Sequence, residues 1–506
     1  MLLPTRAASA RRADARRSWP SAIGPETGLL IAITTVAAGL RFATLGHQSW
    51  WLDEAQAVHE VSLSFGSMLH AWSRYEGNPP LYLILGWIWA HIFGTGEAGL
   101  RSLSAVLGVG VIPLLYLSGR ELVSARAGLL AAAFAAVNPF LIWYSQEARE
   151  YMLLVFTCAA SLLFFTRAWR RAGRRELVWW GVFSGLALLS QYFAGFLVAA
   201  EGLLLVYRLR SRASVIALGA MGVLEAALIP HVTSLLGNPL EFIVSVPLSV
   251  RLQQVPVSFA MNTLYQTGIV SYGLIGAAAL AAAVIALLVG GAGDRELRGA
   301  GVAALLATAV LIVPLLLALV GHDDYIARAL LPGWAPLAIT IAAACTADRA
   351  RLAGAALAVV MLGMFIYAGI RIDGDPSLQK VDWRGVRAAL GPARRPRAIV
   401  AYDGIFATAP LSLYLPGVAW SGPGPAPAPA TATVSEVDVV GSQGDQLARA
   451  PRGVRLIGTR TVDGYVIARF ALAQPWHLSP QQIGARASRL LTPATYAPGV
   501  LIQPAS

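Results

Sequence analysis

Residues 79–94 read PPLYLILGWIWAHIFG, and the topology of the whole chain turns on whether this run crosses a membrane or lies along it. That a membrane is involved follows from composition. Of 506 residues, 56% are hydrophobic and only 13% charged, with a mean hydropathy of +0.61. A soluble domain has roughly a quarter of its residues charged, so this chain lacks the polar surface to coat the three or so soluble cores its length would otherwise suggest. Soluble and disordered classes are excluded. The 39 basic against 27 acidic residues give a net charge of +12, but the basic residues sit in short clusters between apolar runs, with no aromatic-interleaved basic surface. They read as loops of a polytopic protein, not as a nucleic-acid interface.

A helical span of about 30 Å of hydrocarbon needs about 20 apolar residues. Such runs lie near 28–45, 98–118, 127–144, 151–168, 177–190, 194–208, 213–230, 270–290, 299–320, 330–347 and 352–370. The basic segment RRADARR at 11–17 precedes the first of them and places the N-terminus (1–27) in the cytoplasm. If 79–94 does not span, the clusters GRELVSAR (119–126), RAWRRAGRR (167–175), YRLRSR (207–212), GDRELR (293–298) and ADRAR (347–351) all face the cytoplasm; if it spans, all face outward. The positive-inside rule therefore predicts an interfacial helix at 79–94, suited by its tryptophans and its leading proline pair. The expected fold is an all-α polytopic membrane bundle of about eleven transmembrane helices over 28–370. Interfacial helices fill a first outer loop at 46–97. A small α/β extracytoplasmic C-terminal domain follows at 371–506.

That C-terminal stretch mixes strand-like runs (RAIVAYDG, GYVIARFAL) with helix-like ones (WRGVRAAL, APLSLYL), and SGPGPAPAPATATV at 421–434 reads as a linker. Cys158 and Cys345 both lie inside apolar runs, so neither a disulfide nor a thiolate metal site is expected. No internal repeat, phosphate-binding glycine loop or CxxC pair supports ion coupling or nucleotide use.

Four segments share the outer face: WWLDEAQAVHE (50–60), EGNPPLY (76–82), NPFLIWYSQEAREY (138–151) and GHDDYIARALLPGWAPL (321–337). Asp53 and Glu54 follow the first span. One reading makes them an N-cap with interfacial tryptophans, the other a site, because carboxylates so near hydrocarbon are unusual. Glu147 and Arg149 form either a structural ion pair or part of that site. His322, Asp323 and Asp324 read as a solvated loop, and His59 and His70 as solvated or capping histidines. Glu201 and Glu225 interrupt apolar helices and are expected to face the bundle or stay protonated.

In order, the chain shows a Trp-Leu-Asp-Glu motif, Asn-Pro-Pro-Leu-Tyr, Arg-Ser-Leu-Ser-Ala, then Asn-Pro-Phe with Tyr-Ser-Gln-Glu-Ala-Arg-Glu-Tyr, and later Asp-Trp-Arg-Gly-Val at 382–386. This series resembles the GT-C superfamily of integral-membrane glycosyltransferases, in the bacterial branch similar to protein O-mannosyltransferases and lipid A aminoarabinose transferase. It is strongest over 28–170. The resemblance implies a catalytic acid at Asp53 or Glu54, a second acidic site at Glu147, and a late basic residue at Arg328, which here lacks the adjacent tyrosine common in the family (the run is Tyr-Ile-Ala-Arg-Ala). It further implies a sugar donor on a polyprenyl phosphate, an acceptor that is a glycan, lipid or protein, and the bilayer as partner.

A donor anchored by its lipid tail presents its reacting carbon at the outer headgroup level, where these acids lie. Attack by an acceptor hydroxyl needs a carboxylate for the proton, for which Asp53 is the first choice. The departing phosphate needs a cation, with Arg149 and Arg328 as candidates. No cofactor is required by the sequence; a divalent ion, Mg or Mn, bridging Glu54 and Glu147 is the one the resemblance leaves open. The rival reading is a multi-pass transporter or lipid-linked sugar flippase using Glu201 and Glu225, but the paired half-helices and inverted repeats of such proteins are missing.

Overall fold

Apolar runs form helices because only a helix satisfies its own backbone in hydrocarbon, and in the computed structural model each of the eleven expected runs is helical. The structure describes residues 24–235, 243, 245–418, 429–442, 444–492 and 498–505. The basic segment at 11–17 and most of the Pro-rich stretch lie outside these. In chain order the first helices are α1 (Pro25–Phe42), α2 (Leu52–Val61), α3 (Phe65–Tyr75), α4 (Leu81–Phe93), α5 (Glu97–Leu122), α6 (Ala125–Val137), α7 (Pro139–Ser145) and α8 (Tyr151–Arg171). Among the described residues seven helices are long and apolar enough to cross a membrane, eight if the bent pair α6 and α7 is one span. The other three expected runs are also helices, α1, Arg174–Leu188 and Ala194–Leu209, of 18, 15 and 16 residues, shorter because of charged ends or the turn after Leu188.

α4 is the run that decides the topology. Its 13 residues reach about 20 Å at 1.5 Å each, too short for a span. Five arginine clusters meet at one end of the bundle. Arg120, Glu121, Arg167, Arg170 and Arg295 line one cavity, Arg126 pairs with Asp348 at 2.9 Å, and Arg208 lies over the Trp169 ring. Arg101 begins the same helix that ends near Arg120, so about 28 Å of α5 separates the two ends. Ile216, Val223, Ile285, Val289 and Val359 are exposed on the flanks, as lipid-facing residues are. The protein is a multi-pass membrane protein.

α6 and α7 meet at 60°, and the cause is local. Pro139 lacks an N–H, while the Asn138 side chain accepts from Leu141 N at 3.1 Å and starts a new helix. The carbonyls left open at the end of α6 are taken by buried Arg41, which donates to Ala135 O at 2.8 Å, Ala136 O at 3.0 Å and Ser145 Oγ at 3.0 Å. Gly108 makes room for this: a Cβ there would lie 2.2 Å from Ser145 Oγ. The bend carries the chain into the turn 146–150, which supplies half of the site.

The C-terminal residues form a five-stranded sheet in the order β4-β5-β2-β1-β7. Its strands are β1 (Arg397–Ala401), β2 (Ala432–Gly441), β4 (Val454–Val462), β5 (Tyr465–Leu478) and β7 (Gly499–Gln503); the short β3 (Gln446–Leu447) and β6 (Leu491–Thr492) pair separately. β1 and β2 are parallel and the other pairs antiparallel. Asp463 and Gly464 both have positive φ and make the two-residue turn that joins β4 to β5. The expected linker at 421–434 ends early, since β2 begins at Ala432; the alternating Thr-Val there pairs with β5. This sheet unit shares a hydrophobic core with the first loop: Trp50, Val58, Met68 and Leu100 pack with Trp383, Val386, Leu411 and Tyr465.

Candidate functional site

Asp53 and Glu54 occupy the first turn of α2, whose N-cap is Trp51 with no side-chain cap. The capping reading of the pair is therefore replaced: neither acid sits at the cap. One residue apart on a helix, they diverge by about 100°, and their surroundings differ accordingly.

Glu54 is fully buried. Arg101 grips it from both sides, Nε to Oε1 at 2.7 Å and Nη2 to Oε2 at 2.7 Å. Ala148 N donates to Oε1 at 2.8 Å and Lys380 Nζ to Oε2 at 2.9 Å. Arg101 uses its remaining donors on Leu45 O, Gln48 O and Ser49 O, so one guanidinium locks the entry of α2 to the start of α5. Burial alone would raise the Glu54 carboxyl, but the charges of Arg101 and Lys380 prevail and hold it at about 2.

Glu147, in the turn delivered by the α6–α7 bend, is also buried. Its Oε2 lies 3.6 Å from Lys380 Nζ, and its Oε1 has no hydrogen-bond partner. Burial pushes it up, to about 7, with Lys380 opposing and Glu54 adding to the rise. A carboxyl with a folded value above its unfolded one binds extra protons in the folded state, so its contribution to stability falls as pH rises from about 4.5 through 7. Glu147→Gln should remove this decline, on the order of 1–3 kcal/mol. Thermal unfolding at pH 5 and pH 8 checks it: the wild type should lose more stability across the interval than the variant.

Asp53 points elsewhere. Its Oδ2 is 3.4 Å from Arg328 Nη1, and both side chains remain about a quarter exposed. Arg328 is the second residue of the short helical turn Ala327–Gly333 and lies 5.8 Å from the centre of the Tyr151 ring. The tyrosine beside Arg328 is thus Tyr151 on α8, while Tyr325 is buried, its carbonyl accepting from Arg251.

The structure brings Asp53, Glu54, Glu147 and Arg328 into one cluster. Arg149 belongs to an adjoining one. It is bound by Glu76 at 2.9 Å and by Glu150 at 2.9 Å, and Asn78 Nδ2 donates to Glu150 Oε1 at 3.0 Å. The expected phosphate ligand is therefore engaged by two carboxylates. Burial would raise Glu76, yet Arg149 lowers it; Glu60, buried nearby, is pushed by burial and by Glu76 up to about 8.

The expectation of a divalent ion between Glu54 and Glu147 meets an obstacle in the residues themselves. The ammonium of Lys380 stands between the two carboxylates, and every other approach to Glu54 is taken by Arg101 and Ala148. The donor set does not fit a bridging ion. Among the described residues no group of three or more His, Cys, Asp or Glu is arranged to hold a metal.

Other expected residues fall outside the cluster. Asp323 is an ion pair with Arg251 Nη1 at 2.7 Å, not a solvated loop residue. His59 meets Ser412 Oγ at 2.9 Å, and burial lowers it to about 4. Glu201 faces the bundle, accepting from Ser161 Oγ at 2.6 Å and Trp180 Nε1 at 2.8 Å. Cys158 and Cys345 are free and buried. Sequence reasoning missed Arg101 and Lys380. The signals were present: an arginine opening an apolar run, and the chain's only lysine just before Asp-Trp-Arg.

Comparison with known proteins gives matches in one segment and in the fold. Residues 77–233 match the dolichyl-phosphate-mannose-protein mannosyltransferase family. ArnT from Cupriavidus metallidurans in the apo state aligns with a TM-score of 0.52 at 14% identity, over 88% of this chain and 98% of that one. The same protein bound to undecaprenyl phosphate gives 0.50 at 14% identity over the same shares. The oligosaccharyltransferase of Archaeoglobus fulgidus, in complex with Zn and sulfate, is 17% identical with a TM-score of 0.43, over 68% of this chain and 52% of that one; the chain spans about half of its length. No curated protein matches the chain. Over most of its length the chain thus shares the fold of ArnT, a helical bundle followed by a terminal sheet, and its residues 77–233 are similar to the mannosyltransferase family.

Proposed function

We propose that the protein moves a sugar from a polyprenyl-phosphate carrier to an acceptor hydroxyl at the outer face of the cytoplasmic membrane, with Asp53 as general base. The observation that carries this reading is the contrast between two neighbouring acids. Glu54 is saturated and held ionised by fixed cations, a poor base, whereas Asp53 is partly open beside the Arg328 guanidinium.

In the reaction, the acceptor oxygen attacks the anomeric carbon, the bond from that carbon to the phosphate oxygen breaks, and the acceptor proton passes to Asp53. The configuration inverts. The electron pair leaves with the polyprenyl phosphate, whose growing charge Arg328 is placed to offset in a site of low dielectric. Glu54, with Arg101, fixes the angle of α2 and so the position of Asp53. Arg149 acts indirectly, tying the turn 146–150, to which it and Glu150 belong, to Glu76 at the end of α3.

A groove of about 160 Å³ lies close by, lined by Leu40, Ile142, Trp143, Phe365 and Ile370, with Gln48 and Gln146 polar at its edge. Such a lining suits the first isoprene units of a lipid tail. The bound undecaprenyl phosphate of the ArnT structure supports the same class of carrier. The arginine clusters at the far end favour an orientation with those loops and the N-terminus in the cytoplasm and residues 371–506 outside.

The test is incubation of the purified protein in liposomes with a panel of labelled sugars on undecaprenyl phosphate. One donor should be consumed with release of undecaprenyl phosphate. Survival of every donor, with and without mixed envelope acceptors, would count against the reading.

A further inference from the structure

Lys380 is the only lysine in a chain that otherwise uses arginine for every basic position, and it is buried between two acids. It follows the turn Pro376–Leu378 and precedes the helix Trp383–Leu390. That segment is pinned to the first outer loop: Lys380 N donates to Gln48 Oε1 at 3.2 Å, Arg384 N to Ser49 Oγ at 3.2 Å, and Arg384 Nη1 to Gly46 O at 3.0 Å. The ammonium sits 6.0 Å from the Trp51 ring centre and 5.4 Å from that of Trp143. It ends 2.9 Å from Glu54 and 3.6 Å from Glu147.

Arginine would not serve in this place. Its flat fork recognises one carboxylate in two-point fashion, as Arg101 does with Glu54, whereas an ammonium is a compact point charge that can face two carboxylates at once. A divalent ion with oxygen ligands has the same character at shorter range, about 2.0 to 2.6 Å. We propose that the Lys380 ammonium is the resident cation of this site, joining Glu54 to Glu147 where a divalent ion would otherwise bind, so that transfer proceeds without metal and depends on the C-terminal segment that brings the lysine. Lys380 is then a positioning residue. It keeps the turn 146–150 against α2, and with it the alignment of Asp53 and Arg328. Its effect on transfer rests on the glycosyltransferase reading above; its effect on cation binding does not.

Two arms separate these. In the first, Mn²⁺ alone is titrated into the purified full-length protein and bound ion is read by electron paramagnetic resonance. The wild type should bind none at this site, Lys380→Ala should gain one site at least about tenfold tighter than any in the wild type, and adding Glu147→Gln should abolish the gain. Lys380→Met, which keeps the stem between Trp51 and Trp143, gives the same reading should the alanine variant not fold. A wild type that binds Mn²⁺ through Glu147, or lysine variants that gain no site, overturns the proposal. In the second arm, with whichever donor the wild type consumes, transfer should be unchanged by excess chelator. It should fall about 10²-fold in Lys380→Met and recover in part with Mn²⁺. Loss of wild-type transfer in chelator overturns the proposal as well. Should no donor be consumed, the transferase reading fails while the Mn²⁺ arm still decides the role of Lys380.

Discussion

Asp53→Asn is expected to lower sugar transfer by about 10²- to 10⁴-fold while leaving donor binding largely intact. The substitution preserves size and hydrogen bonding but removes the carboxylate proposed to take the acceptor proton. A structural role predicts otherwise. Asp53 does not cap α2, whose N-cap is Trp51, so the only other losses are a first-turn charge, about 0.3 to 1 kcal/mol, and one 3.4 Å contact to a partly exposed arginine. Folding should therefore change little. Single-turnover transfer and donor affinity measured on the same preparation check both halves; near wild-type transfer would remove Asp53 from the chemistry.

Glu54→Gln should act on the fold. The change leaves the buried guanidinium of Arg101 and the ammonium of Lys380 facing a neutral amide, and breaking a buried pair from one side costs about 3 to 5 kcal/mol. The pH dependence has a definite sign. The Glu54 carboxyl stands at about 2 in the folded protein against about 4.3 in an unfolded chain. Its stabilisation is fully present above the unfolded value and is lost as pH falls toward 2. Wild type and variant should differ most near neutral pH and converge in acid. Denaturation in detergent at pH 7 and pH 3 reads this directly. A variant as stable as the wild type at pH 7 would show that the Arg101 grip does not hold α2 in place.

These two outcomes separate neighbours that the sequence presents as equivalent. The motif Trp-Leu-Asp-Glu marks the place, and the helical period says the acids diverge, but the partner that claims Glu54 lies 47 residues on and the second cation 326 residues on. Neither pairing has a local signature. It arises because the α6–α7 bend and the docking of residues 380–384 bring distant segments to one end of the bundle. Arg149 shows the same limit: its place in the turn is legible, its engagement by Glu76 and Glu150 is not, because Glu76 arrives from the end of α3.

What was legible is what repeats along the chain. Arginine clusters at alternate loops foretell one basic end of the bundle, and a short tryptophan-rich run foretells a helix too short to cross. The strand-like runs RAIVAYDG at 397–404 and GYVIARFAL at 464–472 foretell β1 and β5. The exact ends of the helices were less legible: the run at 177–190 gives a helix that stops at Leu188, since hydropathy does not register a break in hydrogen bonding. The linker was overread into β2 for a related reason: Ala-Thr-Val continues the small-residue composition of the stretch before it, and only pairing with β5 distinguishes it.

The central claim is that the acids at this end of the bundle transfer a sugar and do not move its carrier across the bilayer. Liposomes holding the protein in a single orientation, with the labelled donor confined to one leaflet, test it most directly. The account predicts that sugar leaves the donor only in the leaflet next to Asp53, that undecaprenyl phosphate accumulates in that same leaflet, and that both cease in Asp53→Asn. Passage of intact donor to the opposite leaflet with its sugar still attached, at a rate unaffected by that substitution, would contradict it.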